Sequence, residues 1–194
     1  GVQLSSWLPW HFDHCYNDQL NRAGVLRSVE IPPDGGMTGF VDGIALYQAV
    51  PAPVRDRIEG KNVIYAMDVI LGNLRYGRPA DFEEVQASPQ SGDVMKEYET
   101  KPRAIHPAVW TRSSGEKVLH VSNYMACGIL GMENAEGDAL LEEVCLSPLR
   151  RTCVPSGRTR LLPSRRPLRI LALPTNSATN RVFGRSKISA GRPT

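Results

Sequence analysis

The chain has 194 residues, of which 41% are apolar and 22% are charged, and its formal net charge at pH 7 is +3. These values are ordinary for one soluble globular domain that is long enough for a substantial core. No apolar run approaches the roughly 18 residues that a membrane span needs, and the N-terminus lacks the basic-then-apolar layout of a secretion signal. The sequence therefore predicts a cytoplasmic protein with no membrane partner.

The charge is distributed unevenly along the chain. Residues 1–144 hold 12 Lys and Arg and all 20 acidic residues, whereas residues 145–194 hold 11 Lys and Arg and no acid. The two parts therefore carry net charges of −8 and +11, and a tail of +11 is able to bind nucleic acid electrostatically. The four cysteines form no C-x-x-C pair, which favours reduced thiols over a zinc site or a disulfide framework.

The first predicted element is a strand over residues 6–16 that contains the sequence Trp10-His11-Phe12-Asp13. Side chains two apart on a strand share a face, so His11 and Asp13 are able to converge on one metal ion. One more histidine would complete a two-histidine, one-carboxylate triad, which leaves open positions on Fe(II). The alternative is a half-buried histidine held by a nearby aspartate.

The next elements are short and are separated by Gly/Pro turns. Asp42 is placed to cap the first helix. In chain order the sequence predicts a strand over 24–31, an edge strand over 38–41, helices over 44–50 and 54–58, and a strand over 62–70.

The second half begins with a polar insertion over residues 72–103, which is either a substrate-covering lid or a mobile surface loop. A hairpin follows, with strands over 104–111 and 117–122 that carry His106 and His120. Either histidine is a possible iron ligand, although the alternating strand position of His120 favours a packing role. The last regular element is an amphipathic helix over 133–144.

Several of these segments resemble one known family in their order and spacing. They are the Trp10–Asp13 motif, the turn Pro33-Asp34-Gly35-Gly36-Met37-Thr38, and the runs over 106–110 and 135–141. This pattern is similar to the taurine dioxygenase (TauD/TfdA) family of Fe(II)- and 2-oxoglutarate-dependent oxygenases. Short strands with Gly/Pro turns indicate a sandwich or barrel.

The resemblance narrows the fold class to mainly β with flanking helices: a double-stranded β-helix, or cupin-like jelly roll, in one domain over residues 1–194. Family members carry a sizeable region ahead of the metal motif. We therefore expect the domain to be N-terminally truncated.

The resemblance also implies a set of site residues. His11 and Asp13 would hold Fe(II), and Arg185 would bind the distal carboxylate of the co-substrate 2-oxoglutarate with help from the Thr38 hydroxyl, 27 residues after His11. Without the resemblance, Thr38 would be an ordinary turn hydroxyl and Arg185 a surface arginine. The implied reaction uses O2 to hydroxylate a small organic acid and yields succinate and CO2.

Substrate contacts are assigned to the loop that follows the metal motif. Its candidates are Asn17, Asn21 and Arg22. The partner is then a small molecule, and homo-oligomerisation is left open.

Residues 146–170 do not follow the family pattern. The run is rich in Pro, Ser, Arg and Leu, and family-like text returns only from Ala172. In the family the third iron ligand lies fifteen residues before the second arginine of the co-substrate strand, and here that position is Ile170.

We interpret residues 146–170 as an aberrant segment, frame-shifted or disordered, and expect weak or no activity. Two alternatives remain. One is a non-catalytic member, or pseudoenzyme, with a binding role, and the other is a nucleic-acid-associated protein with a basic tail.

Overall fold

The computed structural model describes residues 8–25, 39–80, 96, 99–152 and 181–184. Within these ranges there are seven strands and three helices longer than one turn. The strands are β1 Gly39–Asp42, β2 Asn62–Tyr65, β3 Ala104–Pro107, β4 Val109–Thr111, β5 Lys117–Leu119, β6 Ala126–Ile129 and β7 Arg181–Gly184. The helices are α1 Gly43–Ala49, α2 Ala52–Ile58 and α3 Ala135–Thr152.

The strands form three small antiparallel sheets. Strand β2 is central in the order β3-β2-β6, while β4 pairs with β5 and β1 pairs with β7. The helices pack against this framework: α1 contacts β5 and α3, and α2 contacts α3. The architecture is therefore mainly β with some helices.

The first two helices confirm the sequence-based prediction closely. The Asp42 side chain accepts a hydrogen bond from the Ile44 backbone N–H at 2.9 Å, which is the predicted cap. Helix α2 ends at Ile58 and is followed by Gly60 with φ +72°, a left-handed conformation that favours glycine.

One hydrophobic core joins the helices to the sheets. Helix side chains Leu46, Val54 and Leu141 meet Val63 and Tyr65 of β2 in it. Val63 and Tyr65 have no exposed surface, so this face of β2 lies inside the core.

Two predicted strands are wrong in extent. Residues 8–16 form no strand: His11 lies in a single bridge, and residues 13–16 form a turn in which Asn17 N–H donates to the His14 carbonyl at 2.9 Å. The left-handed conformation of His14, with φ +63°, turns the chain there. The predicted strand over 62–70 stops at Tyr65, because β6 pairs with it only that far.

The hairpin prediction is confirmed with two changes, one of which is that the return strand predicted over 117–122 ends at Leu119. Strands β4 and β5 pair through the predicted turn, but residue Ala108 separates β3 from β4. Its carbonyl accepts from the His120 backbone N–H at 2.8 Å. His106 therefore lies on β3, in a different sheet from the hairpin.

The start of the predicted insertion is docked on α3. Arg75 Nη2 lies 3.2 and 3.3 Å from the two Asp138 carboxylate oxygens, and the Tyr76 hydroxyl donates to Asp138 at 2.5 Å. The Gly77 N–H donates to Glu142 at 2.7 Å. The described residues 74–78 are thus part of the packed structure, while residues 81–95 lie outside the described ranges.

Helix α3 is longer than predicted. Its N-terminus is capped by Asn134, whose side chain accepts from the N–H groups of Glu136 and Gly137. It continues to Thr152 through Pro148, although the predicted helix ended at 144. The prediction ended the helix where the amphipathic pattern ends. Once its first turns are packed against the protein, a helix can extend further without an apolar face, because each added residue forms one more hydrogen bond.

Two further sequence-based expectations, about the cysteines and about membrane-spanning segments, concern the described residues. Cys15, Cys127 and Cys145 form no disulfide, as predicted, and Cys153 lies outside the described ranges. Within those ranges no helix is long and apolar enough to cross a membrane.

We predict that Gly137→Ala destabilises the protein although alanine favours a helix by about 1 kcal/mol over glycine. A Cβ on Gly137 would lie 2.0 Å from the Met132 carbonyl oxygen, so the helix start must shift, at a cost of about 1–3 kcal/mol. Urea unfolding measures the change. The control is Gly24→Ala, because a Cβ there meets nothing within 4 Å. A Gly137→Ala variant as stable as the parent would contradict this close approach.

Candidate functional site

The predicted metal pair converges, but through a turn and not along a strand. The His11 Nε2 atom lies 3.3 Å from Asp13 Oδ1. The His11 side chain is 17% exposed and the Asp13 side chain 55% exposed, so the carboxylate faces solvent while the imidazole is mostly covered. A nitrogen and an oxygen donor thus meet at an accessible edge of the core.

The hydrogen bond on the other side of the imidazole fixes its tautomer. His11 Nδ1 lies 2.8 Å from the Pro9 carbonyl oxygen, and a carbonyl only accepts, so Nδ1 carries the proton. In a neutral ring Nε2 then presents its lone pair towards the Asp13 carboxylate. Two electron-rich atoms at 3.3 Å are stabilised by a proton or a metal cation between them.

This arrangement fits a metal ion. Metal-bound histidines usually donate their second ring N–H to a carbonyl or carboxylate, as His11 does to Pro9. Imidazole with carboxylate is also the donor set of non-haem Fe(II) sites. The chemistry of the two donors therefore suits two ligands of such a site.

Phe12 lies between His11 and Asp13 in the chain and is held in the core by aromatic contacts. Its ring stacks on the His120 ring at a centroid distance of 3.8 Å and meets Tyr65 edge-on at 5.6 Å. Phe12 is 6% exposed, so this residue is buried where its two neighbours are not. The aromatic contacts hold the backbone that carries His11 and Asp13.

A third ligand is not found among the described residues, where no group of three His, Cys, Asp or Glu side chains is placed to hold a metal. All four histidines of the chain lie in the described ranges. His14 is exposed, His106 Nε2 is 2.9 Å from the Asn17 carbonyl oxygen, and His120 is stacked on Phe12. None of these three completes a ligand group with His11 and Asp13 in the described structure.

Three positions of the predicted site lie outside the described residues: Thr38, Arg185 and Ile170. Their roles remain sequence-based predictions. Of the predicted substrate residues, Asn17 is partly buried and held through its carbonyl by His106, whereas Asn21 and Arg22 are exposed.

His120 has an unusual environment. Its side chain is 1% exposed, and both ring nitrogens are buried without a hydrogen-bond partner in the described structure. Burial, with a smaller contribution from nearby His106, lowers the pKa of His120 to about 3. His120 is therefore a neutral ring in an aromatic surrounding that also includes Trp110, at a centroid distance of 4.5 Å.

Sequence reasoning did not identify the segment that faces the metal pair, residues 120–125. Tyr124 lies against the His11 ring, with centroids 5.7 Å apart in a T-shaped arrangement. The predicted return strand ended within it, at residue 122, and its role depends on contacts with residues more than a hundred positions away. Only its mixture of buried polar side chains, Ser122 and Asn123, sets it apart.

Comparison with known proteins places these observations in a family context. The family model described as "Taurine catabolism dioxygenase TauD, TfdA family" matches residues 3–145. The match ends close to residue 146, where the resemblance to the family was expected to stop. The C-terminal residues that were predicted to resemble the family again lie outside the match.

Two curated relatives show the extent of the likeness. Pentalenolactone F synthase from Streptomyces avermitilis is 28% identical over 159 residues, which are 76% of this chain and 48% of that protein. The alpha-ketoglutarate-dependent 2,4-dichlorophenoxyacetate dioxygenase of Cupriavidus pinatubonensis is 30% identical over 139 residues, which are 70% of this chain and 42% of that protein. The chain spans about half the length of these relatives or less.

A solved structure is also similar. It is the crystal structure of a candidate alpha-ketoglutarate-dependent 2,4-D dioxygenase from Burkholderia xenovorans, with a TM-score of 0.51 and 29% sequence identity. The likeness covers 70% of this chain and 47% of that one.

We predict that His120→Phe stabilises the protein at pH 7.5, by about 1–3 kcal/mol, because it keeps the stack and removes two unsatisfied nitrogens. It also removes a pH dependence. The unfolded chain takes up a proton near 6.5 and the folded state only near 3, so stability is full above pH 6.5 and falls by about 1.4 kcal/mol per pH unit below it. Urea unfolding at several pH values measures both effects.

The matched control is the same substitution at His106, which is also buried but hydrogen-bonded to Asn17. His106→Phe leaves that carbonyl unpaired and is expected to destabilise the fold by about 1 kcal/mol or more. Equal losses of stability in both variants would contradict the assignment of His120 as an unsatisfied ring.

Proposed function

This chain belongs to the taurine catabolism dioxygenase TauD, TfdA family, and on that premise we propose that it is an Fe(II)- and 2-oxoglutarate-dependent dioxygenase acting on a small organic acid. We further propose that its iron binding is weakened in the chain as it stands. The observation that carries the proposal is the convergence of His11 and Asp13, with Nδ1 committed to Pro9.

The fold proposed is a double-stranded β-helix. Its support is the set of short antiparallel sheets with helices packed outside, together with the likeness to the solved dioxygenase structure. In such a fold the metal pair would lie at the mouth of the barrel, where ligand sites of barrels commonly occur.

His11 and Asp13 would hold Fe(II), through the imidazole nitrogen that is not bonded to Pro9 and through a carboxylate oxygen. Bound Fe(II) with 2-oxoglutarate and O2 supplies the oxidising power to hydroxylate an unactivated C–H bond, with succinate and CO2 as co-products. The protein's own contribution is to orient the donors and shield them on one side.

Thr38 and Arg185 would bind the distal carboxylate of 2-oxoglutarate. Gly39 and Gly184 are register partners in the β1–β7 ladder, and Thr38 and Arg185 are their immediate chain neighbours. The two residues are thus next to paired positions in the sequence, and a guanidinium pairs with a carboxylate through two hydrogen bonds.

Substrate binding is proposed for the loop after the turn. Its residues Asn17, Asn21 and Arg22 follow Asp13 within ten positions, and Arg22 is exposed. A guanidinium there would complement an organic acid. The Asn17 backbone is held by His106, which gives the start of the loop a fixed position.

The proposal that iron binding is weakened rests on the lack of a third protein ligand among the described residues. No described side chain joins His11 and Asp13 in a group of three metal-binding residues, and the family's third-ligand position is occupied by Ile170, whose side chain has no donor atom. A non-catalytic member that binds ligands without turnover is the second candidate, and it is favoured by this same observation.

Anaerobic titration with Fe(II) and 2-oxoglutarate tests whether the site assembles. We expect a saturable visible charge-transfer band that is lost in His11→Ala, which removes a donor, and in Arg185→Ala, which removes the carboxylate anchor. One control is His14→Asn, because asparagine tolerates the left-handed backbone there. The other is Arg57→Ala, at an exposed position of α2. No band at saturating Fe(II) and 2-oxoglutarate would contradict an assembled site.

Turnover tests the weakened iron site. Succinate release with a screen of small carboxylates and sulfonates is expected to be weak or absent, because two protein ligands hold iron less tightly than three. Ile170→His alone is expected to leave turnover low, since the residues around position 170 also differ from the family pattern. Turnover at an ordinary enzymatic rate would overturn the impairment, and a band without succinate release would favour the non-catalytic candidate.

A further inference from the structure

The segment over residues 120–125 is buried and closely hydrogen-bonded. Its first residue, His120, donates its backbone N–H to Ala108, and its last, Met125, accepts from the Ala66 N–H at 3.1 Å. Inside the segment the Ser122 N–H donates to the Tyr65 hydroxyl at 3.2 Å, and the Ser122 hydroxyl donates to the Tyr124 carbonyl at 2.6 Å. Backbone and side-chain bonds therefore fix its shape.

This segment meets the metal motif at three successive places. His120 stacks on Phe12 at 3.8 Å, and Tyr124 lies against the His11 ring at 5.7 Å. The Cys15 thiol lies 3.8 Å from the Tyr124 carbonyl oxygen and 3.9 Å from the Met125 sulfur. The motif thus rests on one rigid surface from His11 to Cys15.

The backbone of the segment is strained where it passes the motif. Met125 has φ +69°, a left-handed conformation that costs a non-glycine residue about 1 kcal/mol or more. Two bonds hold it there, the Ala66 N–H on the Met125 carbonyl and the Ser122 hydroxyl on the neighbouring Tyr124 carbonyl. The strain turns the chain so that Tyr124 and Met125 both reach the metal motif.

We propose that Tyr124 is a positioning residue for the His11–Asp13 pair, with residues 120–125 as its rigid support. The Tyr124 ring meets the imidazole edge-on and the Pro9 carbonyl holds Nδ1, so two contacts restrict the rotation of the His11 ring. His120 acts through Phe12 and fixes the backbone, while Tyr124 fixes the His11 side chain. The inference rests on the proposed metal site but not on its being complete.

Burial keeps Tyr124 in its neutral form. Desolvation raises the pKa of Tyr124 to about 12, with smaller contributions from Asp68 and Cys15, so the phenol stays protonated at physiological pH. Its contact with His11 is therefore one of shape and not of charge.

The first test needs no metal. In the metal-free protein at pH 8, nitrogen-15 NMR of the His11 ring is expected to show a protonated Nδ1 and an unprotonated Nε2, as the Pro9 bond requires. Tyr124→Leu is expected to give averaged nitrogen shifts typical of a mobile, mixed-tautomer ring. Tyr124→Phe keeps the ring and is expected to match the parent. An unchanged His11 spectrum in Tyr124→Leu would overturn the proposal.

The second test measures Mn(II) binding by electron paramagnetic resonance. Tyr124→Leu is expected to lower Mn(II) affinity about tenfold, within the range known for residues that orient metal ligands, while Tyr124→Phe and His120→Phe stay within about twofold of the parent. Val54→Ala on α2 is the control for general destabilisation, since it removes buried methyl groups on another element.

The outcomes separate this inference from the proposed function. An affinity loss in Val54→Ala equal to that in Tyr124→Leu would overturn the positioning role. A parent chain that binds no Mn(II) would contradict the proposed metal site, and the His11 spectrum would then decide the positioning role by itself.

Discussion

The burial of Phe12 is the constraint on which the candidate site depends. Burying a phenylalanine side chain contributes about 1.5–3 kcal/mol, which is large beside the contribution of any exposed polar contact nearby. Because Phe12 is in the core, its neighbours in the chain are held at the core's edge, His11 mostly covered and Asp13 mostly exposed. The donors are thus ordered by apolar packing before any cation binds, and a pre-ordered site loses less conformational entropy on binding.

The proposed site is divided between two parts of the chain. One part, with the metal pair and its aromatic support, belongs to the packed body around β2. The other part, with the co-substrate residues and the third-ligand position, is assigned from sequence alone. The family match ends at residue 145, so it covers the first part and Thr38 but neither Ile170 nor Arg185.

Local signals in the sequence predicted the local structure well. The Asp42 cap, the two short helices and the start of the return strand at Lys117 all follow from turn residues and periodicity within a few positions. The convergence of His11 and Asp13 was also predicted, although from strand geometry, whereas a turn produces it. That turn depends on a left-handed His14, and this conformation is too uncommon outside glycine to be assigned to one residue in advance.

Non-local contacts could not be predicted in this way. His120 was weighed as a ligand because its residue type suits metals, but its stacking on Phe12 depends on a chain separation of more than a hundred residues. The packing of residues 74–78 against α3 was not predicted, for the same reason. No sequence pattern links Arg75 and Tyr76 to Asp138. Whether residues 146–170 are a frame error also stays a prediction: residues 146–152 continue α3, and the rest lies outside the described ranges.

The β1–β7 ladder has a consequence for the order in which this molecule assembles. It pairs Asp42 with Arg181 and Gly39 with Gly184, so it closes a larger loop of chain than any other strand pairing in the described ranges. The entropy lost on closing a loop grows with its length and is recovered only once the contacts form, which delays pairings between distant segments during folding. The body around β2 is therefore able to form first, and the ladder beside the proposed co-substrate residues closes onto a scaffold that already exists.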